Sequence, residues 1–267
     1  MKKFLVLADI EGVTGVTTFK QAEGSDLGKS MLAHDLNAVL NGIRAAGGEA
    51  VIYDMHTDGR NVDLNLVHAP VIMGKPISGE KYKAIGGEFD GLFMVGLHTM
   101  MNVPNALLQH SYMLYYDSIH VNGVLVGEIG MEALLAGEQG MPLRFVSGDD
   151  LGCKEAEAIM PGVVTCAVKT SLGDDTALCL PPVVTAPALE KAAFEAANAD
   201  IAPLKLDAPY EIRIKFVDGP EVGLMYQLHP EIFGDVRTVV MRGDNLLKLW
   251  AEYLTYEKEL NEARKKA

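Results

Sequence analysis

The N-terminal part of the chain alternates between the apolar patterns of a buried strand and of an amphipathic helix. Phe4–Ala8 is a continuous apolar run, which is typical of a strand buried on both faces. Between Leu32 and Ile43 apolar residues recur every three or four positions, which predicts a helix that ends before Gly47. Ala50–Tyr53 is a second short apolar run. A strand, a helix and a strand within about fifty residues predict a βαβ unit and a parallel sheet.

Strand and helix patterns continue along the rest of the chain. Asn122-Gly123 is a strong hairpin signal, because both residues tolerate positive φ and apolar runs flank them. Helices are predicted to begin at Glu128, at Ala188 and after Asp244, whose side chain is placed to cap the last helix. Further strands are predicted over Leu92–Gly96, Ile119–Val121, Val124–Val126, Leu143–Ser147, Val163–Lys169, Tyr210–Val217 and Arg237–Met241.

This order of elements predicts an α/β fold in three layers. We expect a largely parallel or mixed sheet with helices on both faces, plus a smaller C-terminal α/β lobe. The segment Ser171–Pro187 is rich in glycine, aspartate and proline and is a candidate hinge. The expected domains are therefore residues 1–170 and residues 171–267, with one continuous domain as the alternative.

The charge balance restricts the class of partner. The 267 residues include 23 lysines and arginines against 36 aspartates and glutamates, a formal net charge of −13. Nucleic acids and anionic membranes need a basic face, so we expect neither as a partner. Apolar runs also stay well below the ~18 residues of a membrane span.

The cysteines and the first residues predict a cytoplasmic protein. The 3 cysteines lack CxxC spacing, so neither a disulfide framework nor a zinc ribbon is indicated. The apolar stretch Phe4–Ala8 breaks at Asp9 and is shorter than the roughly 7–15 residues of a signal-peptide core. A reducing compartment is therefore expected.

Ligand-type side chains follow several of the predicted strands. The first strand ends in Asp9-x-Glu11, the second in Asp54-x-His56 and the third in His98. In open α/β sheets the carboxyl ends of the strands meet at one edge, so these side chains can converge. His110 follows a loop and Glu128 begins a helix, and both are added to this group. The candidate set is therefore Asp9, Glu11, His56, His98, His110 and Glu128.

The candidate set combines carboxylates with imidazoles and contains no thiolate. Oxygen and nitrogen donors together suit zinc, manganese or iron. In extended backbone Asp9 and Glu11 point to the same side, where a cation would keep both carboxylates ionised. Three carboxylates with two or three histidines exceed the needs of one tetrahedral zinc. The surplus favours a two-metal hydrolytic centre, in which a carboxylate bridges ions about 3.5–4 Å apart.

Each of these positions also has a simpler explanation. An aspartate after a strand is often a turn former, and Glu128 at a helix start interacts favourably with the helix dipole. Asp149 and Asp150 either cap a helix over Leu151–Ile159 or, like Asp54, hydrogen-bond to the metal ligands. The other histidines lack a carboxylate pattern and are expected to be structural or surface residues: His34, His68, His120 and His229.

Several motifs in the first 170 residues resemble those of a known family. Ala8-Asp9-Ile10-Glu11-Gly12-Val13-Thr14-Gly15 resembles the opening motif of the zinc-dependent D-aminopeptidases, a family also described as dipeptide transport proteins. Each motif alone is weak, whereas the ordered set is fairly specific. The later motifs are Asp54-Met55-His56, Gly96-Leu97-His98, His110-Ser111, Val126-Gly127-Glu128-Ile129-Gly130, Ser147-Gly148-Asp149-Asp150 and Lys154-Glu155-Ala156-Glu157.

The resemblance implies a zinc peptidase that acts on short peptides and releases N-terminal D-residues. It implies that His110 lies near the metals as the catalytic nucleophile or base, and that the protein assembles as a homodecamer around an internal channel. The loop Thr99–Gln109 is bulkier than the small-residue loop we expect from the resemblance, so the preferred side chain stays open. The resemblance further implies two zinc ions, bridged by Asp9, whose ligands are Asp9, Glu11, His56, His98 and Glu128.

Three function classes compete on this basis. The leading hypothesis is a dinuclear zinc aminopeptidase for short, D-residue-containing peptides. A second hypothesis is another two-metal amidohydrolase or phosphoesterase of the same fold, although the net charge disfavours polyanionic substrates. A third hypothesis is a peptide-binding component of a transport system, but a binding module does not need five convergent metal-type ligands.

Overall fold

The computed structural model describes residues 1–75 and 88–266, and within them the strands form two sheets. The elements in chain order are β1 (Lys3–Ala8), α1 (Phe19–Ala22), α2 (Asp26–Ala45), β2 (Glu49–Asp54), β3 (Val71–Ile72), β4 (Gly91–Leu97), β5 (Tyr116–Val121), β6 (Val124–Val126), α3 (Glu128–Glu138), β7 (Leu143–Asp149), α4 (Asp150–Ile159), β8 (Val164–Gly173), β9 (Thr176–Cys179), α5 (Pro182–Asn198), β10 (Tyr210–Phe216), α6 (Pro220–Leu228), a short 3₁₀ turn (Pro230–Ile232), β11 (Phe233–Asp235), β12 (Thr238–Gly243) and α7 (Leu246–Arg264).

The larger sheet has the strand order β3-β2-β1-β4-β7-β8-β9. Its strands pair in parallel from β3 to β8, and only β9 runs antiparallel to its neighbour. β4 and β7 are buried along their whole length, as expected for strands covered on both faces. The predicted α/β fold with a largely parallel sheet is confirmed.

Helices cover both faces of this sheet, because alternate residues of each strand point to opposite sides. Phe4 and Val6 of β1 pack in one apolar cluster with α2 and α5. Leu5 and Leu7 point the other way and pack in a second cluster with α3. The continuous apolar run of β1 therefore serves two cores.

The second sheet is antiparallel, with the order β11-β12-β10-β5-β6. Its core includes Trp250 and Tyr253 of α7. The predicted hairpin at Asn122-Gly123 joins β5 to β6, and both residues have positive φ. This hairpin and β10–β12 come from distant parts of the chain, so the sheet forms by pairing between distant segments.

The candidate hinge consists of regular elements, and the predicted cap of the last helix falls on the neighbouring residue. Residues 171–187 contain the end of β8, all of β9 and the first turn of α5. Asn245, rather than Asp244, caps α7, since its side-chain oxygen accepts from the Lys248 N–H at 2.9 Å. None of the helices in the described ranges combines the length and apolarity needed to cross a membrane.

Candidate metal centre

Three strands of the larger sheet bring their carboxyl ends to one edge. Asp9 follows β1 directly, His56 lies two residues after β2, and His98 follows β4 directly. β2, β1 and β4 are parallel neighbours. Their following side chains therefore converge at the edge where open α/β sheets bind ligands.

A close backbone contact fixes the loop that follows β1. The Asp9 N–H donates to the Val95 carbonyl at 2.9 Å, and the Gly12 N–H donates to the Gly96 carbonyl at 2.7 Å. A Cβ atom on Gly12 would lie 1.9 Å from the carbonyl oxygen of Leu97. Glycine is therefore required at position 12, and its absence of a side chain lets the loop lie against the end of β4.

Asp9, Glu11 and His56 form one buried group of ligand-type atoms. His56 Nδ1 lies 3.0 Å from Asp9 Oδ1 and 3.1 Å from Glu11 Oε2. One ligand atom from each of the three residues lies within 4.8 Å of the other two. A single ion could contact all three side chains.

His98, His110 and Glu128 form a second group with the same compactness. Glu128 Oε1 lies 3.3 Å from His98 Nε2 and 3.8 Å from His110 Nε2. The Nδ1 of His98 donates to the Thr99 carbonyl at 3.0 Å, and that of His110 donates to the Leu108 carbonyl at 2.8 Å. These bonds fix each ring and direct its Nε2 towards the group.

Asp9 joins the two groups, because its two oxygens face different imidazoles. Oδ1 lies 3.0 Å from His56 Nδ1, and Oδ2 lies 3.6 Å from His98 Nε2. Three buried atoms of the cluster have no hydrogen-bond partner among the described residues: Glu11 Oε2, His56 Nε2 and His98 Nε2. Glu11 Oε2 is within ion-pair distance of His56 but is not aligned for a hydrogen bond. Buried polar atoms without partners are costly, so this cluster favours an additional cationic ligand.

The protonation of the cluster is set by burial and by neighbouring charges. Burial raises the pKa of Asp9, but the hydrogen bond from His56 and the charges of His56 and His98 outweigh it, so that this pKa lies below its usual value. Burial lowers the pKa of His56, whereas the hydrogen bond to Asp9 and the neighbouring carboxylate of Glu11 raise it to about 10. The pKa of His110 is lowered, first by burial and then by the charge of His98. His110 is thus the histidine of the cluster that most readily stays neutral.

Asp54 fixes the loop that carries His56. Its carboxylate accepts from the backbone N–H groups of Asn61 and Val62 at 2.5 and 2.7 Å. The Asn61 side chain in turn donates to the His56 carbonyl at 2.6 Å. Asp54 therefore acts on the backbone of His56 and its loop.

Asp149 and Asp150 lie at the start of α4. Asp149 Oδ1 accepts from the N–H groups of Leu151 and Gly152, each at 2.9 Å, and so caps the helix. Asp150 Oδ1 accepts from the Ser171 N–H at 2.8 Å. Of the two explanations offered by the sequence, the helix cap describes the contacts of Asp149.

Lys169 is a residue of this region that the sequence reasoning did not single out. Its ammonium group is buried and donates to the carbonyls of Glu11, Val13 and Val16 at 2.5, 2.9 and 2.5 Å. It therefore shapes the loop on which Glu11 lies. A signal was present, because a lysine ends a predicted strand whose other residues are mostly apolar.

Glu155 supports the other side of the cluster. It belongs to one of the later motifs, and its Oε2 accepts from the Met100 N–H at 2.7 Å and the Thr99 hydroxyl at 3.2 Å. Burial raises the pKa of this carboxyl to about 7, although both hydrogen bonds act in the opposite direction. Glu155 thus holds the two residues that follow His98.

The remaining sequence expectations concern residues outside the cluster. His34 Nε2 lies 3.2 Å from the Thr185 hydroxyl, and His229 Nε2 pairs with Glu259 at 3.0 Å. His68 is exposed and His120 is half-buried on β5. Two of the bulky residues in the loop Thr99–Gln109, Leu107 and Leu108, are buried in the apolar core.

Comparisons with known proteins place the chain beside related sequences. The model of a family described as D-aminopeptidase, Peptidase_M55, matches residues 1–253. A D-aminopeptidase of Bacillus subtilis (strain 168) is 29% identical over 208 residues, which cover 74% of this chain and 75% of the relative.

A solved structure shares the fold. The Zn-dependent D-aminopeptidase DppA from Bacillus subtilis, a self-compartmentalizing protease, superposes with a TM-score of 0.88. The match is 24% identical and covers 97% of this chain and 98% of DppA. Both sheets of the chain therefore belong to an established architecture.

Proposed function

The chain belongs to the D-aminopeptidase family Peptidase_M55, and from this premise we propose that it is a dinuclear zinc aminopeptidase that releases the N-terminal residue, preferentially a D-residue, from short peptides. The family that the motifs resemble is confirmed, and the chain is a metal-dependent hydrolase of peptide bonds. This membership favours peptide hydrolysis over phosphoester hydrolysis and over a role as a transport component.

One observation carries the proposal of two ions. The two groups of ligand-type side chains meet at Asp9, which turns one carboxylate oxygen towards each. A carboxylate in this position can bridge two cations and reduce their mutual repulsion. The ligands that we propose are Asp9, Glu11, His56, His98 and Glu128.

The donor set fits zinc. It offers imidazole nitrogens and carboxylate oxygens without thiolate, as catalytic rather than structural zinc sites usually do. Within the part of the chain that the structure describes, the buried atoms Glu11 Oε2 and His98 Nε2 have no hydrogen-bond partner, so an ion would satisfy them. Bound zinc supplies Lewis-acid polarisation of the scissile carbonyl.

His110 is proposed as the catalytic residue. Its Nδ1 is bonded to the Leu108 carbonyl, which leaves Nε2 directed into the cluster, 4.0 Å from Glu11 Oε1. Its lowered pKa keeps the ring neutral, so that Nε2 can accept a proton or attack as a nucleophile. Where Nε2 accepts the proton of an attacking water, it can donate that proton to the leaving amine as the peptide bond breaks.

Assembly and location complete the proposal. We propose a homo-oligomer, a decamer by family resemblance, in the cytoplasm. Large apolar side chains are exposed on β8, on the edge strand β9 and at the start of α5, among them Leu172, Leu178 and Val183. Open sheet edges with exposed apolar residues are typical of subunit contacts. The cysteines of the chain are free thiols, which suits a reducing compartment.

Metal analysis combined with paired substrates tests the function. The zinc-loaded chain should contain two zinc ions and should hydrolyse D-alanyl anilide faster than L-alanyl anilide. Removal of zinc by a chelator should abolish turnover, and added zinc should restore it. A chain that binds no metal, or that cleaves neither anilide, would contradict the proposal.

A further inference from the structure

The second sheet has one face that packs on helices and one face that is open. On β10, Ile212 and Ile214 point into the apolar core that α3 and α7 share. Arg213 and Lys215 alternate with them and point to the opposite side, where their side chains are 40% and 44% exposed. The open face therefore lies on the far side of this sheet from α3, which begins with the proposed ligand Glu128.

A depression of about 430 Å³ lies on the open face, and this volume is in the range of sites that hold small molecules. The antiparallel register places Ser118 of β5 and Thr238 of β12 on either side of Lys215. The lining residues whose side chains can donate hydrogen bonds are Ser118, His120, Arg213, Lys215, Arg237 and Thr238.

Three of these side chains have unused hydrogen-bonding groups. Within the described ranges, the Arg237 guanidinium, the His120 ring and the Ser118 hydroxyl make no hydrogen bond or ion pair; the contact of Arg237 with Asp235 uses its backbone N–H. All three residues are half-buried. Half-buried donors without partners favour a ligand that accepts hydrogen bonds.

The charges of the lining favour an anion. Among its described residues are three lysine and arginine side chains against the single carboxylate of Asp235, on a chain whose net charge is −13. Just outside the depression, Asp117 lies 2.8 Å from Lys215 and Glu211 lies 3.5 Å from Arg213. Both ion pairs are partly exposed, and such pairs contribute little stability, so an incoming anion can share these cations.

We propose that this depression binds a small, soluble oxyanion of the phosphate class, held by Arg213, Lys215 and Arg237. Guanidinium groups match the geometry of phosphate oxygens, and the hydroxyl and imidazole groups nearby supply further donors. An extended polyanion would also meet the acidic remainder of the chain, whereas a small anion contacts only the depression. Because the sheet separates this site from the metal-type cluster, the inference does not rest on the peptidase function.

The width of the phosphorus NMR signal of inorganic phosphate measures binding to the zinc-loaded full-length chain. Arg237→Gln should weaken this binding by about tenfold or more, because hydrogen bonds from a charged donor are lost. The change leaves no protein group unpaired among the described residues, since the guanidinium has no partner there. Phosphate bound at zinc is common to all variants, so differences between variants report on the depression.

Arg242→Gln is the matched control. Arg242 lies on the same sheet, pairs with Glu211 at 2.7 Å and is not among the described residues that line the depression. Its substitution removes the same charge and should change phosphate affinity by less than about twofold, because more distant charges are screened by salt. Arg213→Gln/Arg237→Gln should weaken binding beyond Arg237→Gln alone.

The remaining outcomes would overturn the inference. Equal phosphate affinity in the unmodified chain and in Arg213→Gln/Arg237→Gln would remove the site. An equal loss in Arg237→Gln and Arg242→Gln would assign the binding to the general charge of the sheet. Sedimentation of the chain with phosphatidylglycerol vesicles, lost in Arg237→Gln, would replace the small anion with a membrane surface.

Discussion

The imidazole rings of His98 and His110 lie face to face, with centroids 3.9 Å apart and planes 8° from parallel. Each ring is fixed by a hydrogen bond from Nδ1 to a backbone carbonyl, so both Nε2 atoms point towards Glu128. Burial and the charge of His98 lower the pKa of His110. In this stack His98 is the proposed metal ligand, and His110 is the histidine whose lowered pKa keeps it neutral.

His110→Ala separates catalysis from metal binding. If His110 moves a proton or attacks, the variant should retain both zinc ions and lose about 10²–10⁴-fold in kcat. Metal analysis and steady-state kinetics on the same sample provide the measurement. A variant that has lost zinc would instead identify His110 as a ligand, and a fully active one would remove it from the mechanism.

Asp9→Ala is the contrasting variant. It removes the carboxylate whose oxygens face both His56 and His98, so zinc occupancy and activity should fall together. The same metal analysis measures the occupancy. Full zinc content in this variant would contradict the bridging role.

Single-histidine variants should change the zinc stoichiometry in steps. His56 belongs only to the group with Asp9 and Glu11, whereas His98 belongs to the group with Glu128. We expect His56→Ala to bind one ion per chain where the unmodified chain binds two, with an absorbance titration of competing chelator as the measurement. His68→Ala, which changes an exposed histidine, is the control. Loss of both ions in His56→Ala would show that the two sites fill only together.

Lys169→Met should destabilise the fold and weaken metal binding. Three buried carbonyls would lose the ammonium donor, the Val13 carbonyl keeping only the Val16 N–H at 3.3 Å, and each unsatisfied buried group costs about 1–3 kcal/mol. Methionine avoids the burial of an ammonium group, which offsets part of this cost, so we expect the free energy of unfolding to fall by about 2 kcal/mol or more.

Urea denaturation and zinc affinity measure the two effects. Lys154→Met serves as the control, because Lys154 forms an exposed ion pair with Asp150 and its loss should cost little. Equal stability and equal zinc affinity in the two variants would contradict a role of Lys169 in holding the Glu11 loop.

Glu155 should make stability depend on pH between about 4.5 and 7. Burial raises its pKa from 4.5 to about 7 in the folded chain, so the folded state binds the proton more tightly than the unfolded state does. The stabilisation is complete below the unfolded pKa and is lost as pH rises through the folded one.

Glu155→Gln should remove this part of the slope. Unfolding is followed with urea across this pH range, in the presence of a chelator so that zinc binding does not contribute. Glu157→Gln is the matched control, since Glu157 is an exposed residue of the same helix. A slope that persists unchanged in Glu155→Gln would assign it to other groups.

Local patterns determined most of the elements of the larger sheet. The apolar runs at β1, β2 and β4 are short, continuous and bounded by glycine or charge, which is typical of strands covered on both faces. Because parallel neighbours end at the same edge, the placement of Asp9, His56 and His98 followed from where their strands end.

The resemblance also depended on sequence alone. Short motifs keep their order along the chain even when their residues are far apart in space. The ordered set from Asp9 to Glu157 was therefore sufficient to identify the family without coordinates.

Only the tertiary structure decided how the groups meet. The hairpin β5–β6 pairs with β10, about ninety residues later in the chain, and no periodicity within either segment encodes that partner. The orientation of the Asp9 oxygens towards two imidazoles, and the reach of Lys169 to the carbonyls of the Glu11 loop, are likewise contacts between distant segments. Sequence periodicity reports which face of an element is buried, whereas the partner that covers that face is selected by packing of the whole chain.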